Sequence, residues 1–94
     1  MNVCDGGTVS PGITSIPFTN PSTTTAYTIT SCKDSSGNTM PGCPATNPVI
    51  PMATGGVNGS HTVQLASSTI SGKQYTYITS PACPIATNPK IIVS

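Results

Sequence analysis

Arginine, glutamate and tryptophan are absent from this chain of 94 residues, and phenylalanine occurs once. Only 5% of the residues are charged, where about 25% is ordinary. The charges are Lys33, Lys73, Lys90, Asp5 and Asp34, a net +1 with no basic stripe, so phosphate neutralisation cannot drive nucleic-acid binding. No apolar run is longer than Ile91, Ile92 and Val93, which excludes a membrane-spanning helix and a signal-peptide core in the chain as it stands. The chain is read as a mature or excised piece with an added Met1, in preference to one that reaches the outside without a signal.

Helix-forming stretches are also missing. Ten prolines and nine glycines punctuate the sequence. The two longest proline-free stretches, residues 22–40 and 52–80, are rich in Thr, Ser and Gly where a helix would want Ala, Glu, Leu and Lys. What remains alternates. Ile13 to Phe18, Thr25 to Cys32, His61 to Ala66, Gln74 to Ser80 and Lys90 to Ser94 each read as a short strand bounded by turn residues. Val63 and Leu65 should share one face of their strand, as should Tyr75 and Tyr77 of theirs. Ser71-Gly72-Lys73 and Ser35-Ser36-Gly37-Asn38 are predicted turns, and Ala53 to Ser60 a longer flexible loop. Pro48 and Pro51 place the stretch between them at a sheet edge or in a connection. The sum is an all-β chain, a small antiparallel β-sandwich of one domain, residues 1–94.

The chain does have hydroxyls and cysteines. Twenty-eight Ser and Thr with six Asn must carry solubility, and such a neutral surface puts little repulsion between copies. Four cysteines in a chain with so thin a core read as two disulfides and an oxidising, extracellular or cell-surface location. A repeat orders them. Tyr27-Thr28-Ile29-Thr30-Ser31, then Cys43-Pro44-Ala45-Thr46-Asn47-Pro48, returns as Tyr77-Ile78-Thr79-Ser80, then Cys83-Pro84-Ile85-Ala86-Thr87-Asn88-Pro89. Cys32 sits in an insertion of the first copy, which favours Cys32 with Cys43 and leaves Cys4 with Cys83. Two other connectivities stay open.

Few residues compete for a chemical role. The four cysteines and His61 lack zinc spacing, and no Gly-x-Ser-x-Gly elbow accompanies His61 and the aspartates. Asp34 alone is too little carboxylate for calcium, and neither aspartate sits mid-strand, where an isopeptide bond would need it. No catalytic residue, metal or cofactor is therefore expected. Tyr27, Tyr75 and Tyr77 read as packing residues in preference to a sugar platform. Asn58-Gly59-Ser60 is a candidate acceptor of N-glycosylation. The leading segment, with Val3, Cys4, Gly6 and Gly7, is a candidate assembly connector over residues 1–7. There Gly6-Gly7 would act as a hinge that lets Cys4 reach Cys83 or a neighbouring subunit; the alternative, favoured by the even cysteine count, is a first strand clipped to its own sheet.

Two resemblances bear on function. Pro21-Ser22-Thr23-Thr24-Thr25-Ala26-Tyr27-Thr28-Ile29-Thr30 and Lys90-Ile91-Ile92-Val93-Ser94 resemble opening and closing strands of immunoglobulin-like modules in bacterial surface adhesins. Asn2-Val3-Cys4-Asp5-Gly6-Gly7 and Gly55-Gly56-Val57-Asn58-Gly59-Ser60-His61-Thr62-Val63 are similar to the connector and a loop with its strand in jelly-roll spore-appendage fibre subunits of bacilli. This chain lacks the adjacent cysteines of those connectors. The resemblances imply an immunoglobulin-like or jelly-roll sandwich. They also imply a non-enzymatic fibre subunit that assembles with copies of itself through sheet edges or disulfides. The alternative they leave is an adhesion module whose partner is a surface glycan or protein.

Overall fold

In the computed structural model, which describes residues 1–34, 36–40, 42–84 and 90–94, the described residues form seven strands and no helix. These are β1 (Gly7–Val9), β2 (Ser15–Asn20), β3 (Tyr27–Lys33), β4 (Val49–Ile50), β5 (Gly59–Gln64), β6 (Gln74–Ser80) and β7 (Lys90–Val93). Five of them make one sheet in the order β1-β7-β6-β3-β4, and β2 pairs with β5 in a second. The two sheets share one core between them, as the layers of a β-sandwich do.

Alternation explains which faces meet. Tyr75, Tyr77 and Thr79 of β6 are buried while Gln74, Thr76 and Ile78 between them are half-buried; β7 buries Ile91 and Val93 and exposes Lys90 and Ile92. From the smaller sheet Ile16, Phe18 and Val63 enter the same core. Phe18 meets Tyr77 edge-on, with ring centroids 5.2 Å apart, an arrangement that contributes about 0.5–1.5 kcal/mol beyond area burial. All three tyrosines are at most 5% exposed, which makes them core residues.

Every strand expected from the sequence is present, shifted by up to two residues at its ends. β2 and β5 run on to Asn20 and from Gly59 because these two residues pair with each other. Two strands were not expected as such, β1 and β4, although a sheet edge is one of the two places expected for the stretch between Pro48 and Pro51. β4 lies at the sheet edge between Pro48 and Pro51, where missing donors do no harm. β1 corrects the expectation of antiparallel pairing throughout. It lies parallel to β7, while all other strand pairs are antiparallel. A parallel neighbour needs a long crossover, and β1 and β7, from opposite ends of the chain, have one.

The predicted flexible loop is shorter than expected. Thr54 and Val57 exchange hydrogen bonds of 3.0 Å in each direction. Between them Gly55 and Gly56 both take positive φ, 59° and 79°, the requirement of a tight two-residue hairpin turn. Gly72 likewise turns between Ile70 and Lys73, with φ 81°. In the turn after β3, the Asp34 carboxylate accepts the main-chain N–H of Ser36 and of Asn38, each at 2.9 Å. Ser35 of that turn, and residues 85–89 of the second repeat copy, lie outside the described residues.

Candidate functional site

The four cysteines pair within the chain. Cys4 bonds Cys83 across a separation of 79 residues, with Cα atoms 5.6 Å apart, and Cys32 bonds Cys43 across 11, at 5.7 Å. Two disulfides in so small a domain point to an oxidising compartment.

The leading segment, the candidate connector, lies folded back on the domain. Thr19 of β2 donates its N–H to the Met1 carbonyl at 2.7 Å and accepts the Val3 N–H at 2.8 Å, and the Met1 ammonium donates to the Pro17 carbonyl at 2.8 Å. Val3 is fully buried. Its carbonyl accepts the Tyr77 hydroxyl at 2.8 Å, and burial pushes that hydroxyl's pKa well above the usual tyrosine value. The Asn2 carbonyl then accepts the Gly6 N–H at 3.1 Å, and Gly6 turns with φ 69°. A Cβ on Gly6 would collide with the Lys90 carbonyl. Gly6 is thus a close-approach residue where the chain crosses from the smaller sheet to the larger, and Gly7 begins β1.

The ionisable groups are scattered. Among the described residues no three His, Cys, Asp or Glu side chains lie together. Asp5 and His61 are exposed, Lys33 donates to Thr39 at 3.0 Å, and the Asn38 N–H, foremost, holds the Asp34 carboxyl below its ordinary value. Asn58 is exposed beside buried Gly59 and exposed Ser60, so the glycosylation triplet offers its asparagine to solvent. An open depression of about 290 Å³ next to the Cys4–Cys83 bond is lined by Asn2, Asp5, Ser22, Tyr27 and Pro84 among others.

Backbone groups without strand partners are the more distinctive surface. On the larger sheet β4 has two residues and β1 three, and on β1 the bond from the Ser94 N–H to the Val9 carbonyl at 3.0 Å leaves only Thr8 directed outward. In the smaller sheet residues 1–3 cover outward Thr19 and the carbonyl of outward Pro17, which has no N–H to satisfy, and of β2 only Ser15 is left directed outward. β5 differs. The Leu65 N–H donates to the Thr14 carbonyl at 2.8 Å. With Ser15 opposite Gln64, this turns Gly59, His61 and Val63 toward β2 and Ser60, Thr62 and Gln64 away from it. Ser60 and Thr62 have no main-chain partner on that side among the described residues.

One buried polar residue escaped the sequence reading. Asn20 is fully buried; its amide donates to the carbonyls of Thr25 at 2.8 Å and Pro51 at 3.1 Å, and its oxygen accepts the Ser22 N–H at 3.0 Å. It ties the β2–β3 connection to the edge strand β4. The signal was the Asn-Pro-Ser order, an Asx-turn pattern.

The class of protein so defined is a small all-β sandwich stapled by two disulfides. Compared with protein-family models, with curated proteins and with solved structures, the chain finds no significant match in any of the three.

Proposed function

We propose that this chain is a non-enzymatic structural subunit of an extracellular or cell-surface fibre, assembling with copies of itself. The observation that carries the reading is the open edge of β5, a run of unpaired main-chain groups on a strand with no Lys, Arg, Asp, Glu or Pro. Proteins that stay monomeric usually blunt such an edge with charge, proline or a bulge. A fibre needs a second contact, for which exposed Ile92 on the outer face of the larger sheet and Ile70 in the adjoining turn are available, at 46% and 60% exposure. The near-absence of charge removes the repulsion that would oppose close lateral packing.

The test is to concentrate the oxidised protein and follow it by light scattering and electron microscopy, with non-reducing electrophoresis in parallel. Assemblies that grow with concentration are expected, and they should run as monomer on the gel because both disulfides close within the chain. A monodisperse monomer at every concentration would overturn the reading. A ladder that collapses with thiol would instead move assembly from sheet edges to exchanged disulfides. The depression beside Cys4–Cys83 favours a second reading, an adhesion module that binds a surface glycan or protein, and glycan-array binding lost in Asp5→Ala would establish it.

A further inference from the structure

We infer that β5 pairs antiparallel with β5 of a second copy across a two-fold axis through His61; this rests on the self-assembly reading and names its contact. The ends of the open stretch set its length. At one end Pro44 bridges Leu65, and the Ala66 N–H donates to the Cys43 carbonyl at 3.4 Å, so residues 43–45 occupy the edge beside Gln64. At the other end the chain leaves the strand through the Thr54–Val57 turn, and Gly59 is packed under the carbonyls of Pro51 and Met52. Residues 59–63 remain.

The register follows from which groups point outward. In an antiparallel pair the hydrogen-bonded positions oppose each other, so Ser60 must face Thr62, Gln64 or Ser60 of the partner subunit. The second register needs the space that residues 43–45 already fill, and the third sets Thr62 opposite Asn58, outside the open stretch. The first places Ser60 opposite Thr62 of the partner subunit, and the two exchange both of their main-chain bonds at each end of the pair. His61 then faces His61 of the partner subunit on the axis.

Two features make a second copy the fitting occupant. The strand is self-complementary under the two-fold, so one open edge satisfies another with no group left over, the property of an isologous contact. Counting outward from the axis, residues 57 and 58 run up to residues 43–45 of the partner subunit, which close the edge at Gln64 and Leu65. Val57, 69% exposed at the tip of its turn, therefore meets the Leu65 and Pro44 end of the partner subunit, where Leu65 and Pro44 are only partly buried. No charged side chain of β5 has to be desolvated.

Cysteine placement tests the axis directly. Opposed residues of a non-hydrogen-bonded antiparallel pair have Cα atoms about 4.5 Å apart, inside the range that a disulfide spans. Because His61 is exposed, His61→Cys is expected to leave the fold intact, as circular dichroism and the native disulfides would verify. On mild oxidation it should give a covalent dimer, while Gln64→Cys, far from its counterpart, stays monomeric. Thr62→Lys, on a solvated face, should weaken wild-type self-association at least tenfold in sedimentation. Failure of His61→Cys to cross-link while folded, equal cross-linking of both cysteine variants, or no effect of Thr62→Lys would each overturn the inference. A cross-linked dimer that never grows longer would leave this contact standing and remove the fibre reading. Fibres that form without the cross-link would do the reverse.

Discussion

Single residues hold this sandwich where its core is too thin to do so by area alone. Asn20 and Tyr77 are the two clearest cases, each a polar group taken into the interior with its partners supplied. For Tyr77 the consequence is a pH dependence. Its folded-state pKa is raised by burial, while in the unfolded chain it ionises near about 10. Above that value the unfolded state loses a proton that the folded state keeps, so the stabilisation is complete below about pH 10 and is lost as pH rises beyond it. Tyr77→Phe should cost about 1–2 kcal/mol at neutral pH, since the Val3 carbonyl loses its donor, and should flatten the alkaline decline. Urea unfolding as a function of pH checks both; an unchanged slope above pH 10 would mean that another group controls it.

Elements were legible in the sequence wherever side chains alternate over five or more residues. β6 coincides with its expected span, because Tyr75, Tyr77 and Thr79 face the core without interruption. β1 and β4 were not legible as strands, since three and two residues carry no period. What makes them strands is a neighbour contributed by a distant part of the chain. The same limit applies to the glycines. Composition marks every glycine as a turn, yet Gly59 is an extended strand residue kept bare by backbone from β4's far side. A Cβ there would strike the Pro51 carbonyl, whereas at Gly12, Gly37, Gly55 and Gly72 it would meet nothing. Gly59→Ala should therefore destabilise by about 2–4 kcal/mol, at the upper end of single substitutions. Gly55→Asn, in a turn position that tolerates asparagine, should stay within about 0.5 kcal/mol. Thermal melts of the two variants separate close approach from turn conformation, and equal losses would refute the distinction. The open edge of β5 was likewise unreadable in advance. It depends on pairing parity across two strands, and residues 59–64 alone show only that no charge or proline guards it.

At the scale of the whole molecule, covalent bonds replace the burial that a chain of this size lacks. The Cys32–Cys43 bond closes a local loop at the end of β3, whereas Cys4–Cys83 joins the leading segment to the far end of β6 and so encloses most of the fold. Chain-entropy reasoning assigns about 3 kcal/mol to the short bond and about 4–5 kcal/mol to the long one, comparable to the total stability of many small domains. The long bond also keeps residues 1–3 over the outer edge of β2. Its loss would make a second sheet edge available, so the proposed assembly would be linked to stability through the same cysteine. Replacing Cys4 and Cys83 together by Ser should destabilise the domain more than replacing Cys32 and Cys43, by about 1–2 kcal/mol in denaturant unfolding. It should also raise self-association relative to wild type in light scattering under conditions where both remain folded. If the short bond proves the more stabilising, chain entropy is the wrong account of these disulfides. If association is unchanged when the long bond is removed, residues 1–3 stay on β2 through their hydrogen bonds to Thr19 and Pro17 alone, and β5 remains the edge proposed for contact between copies.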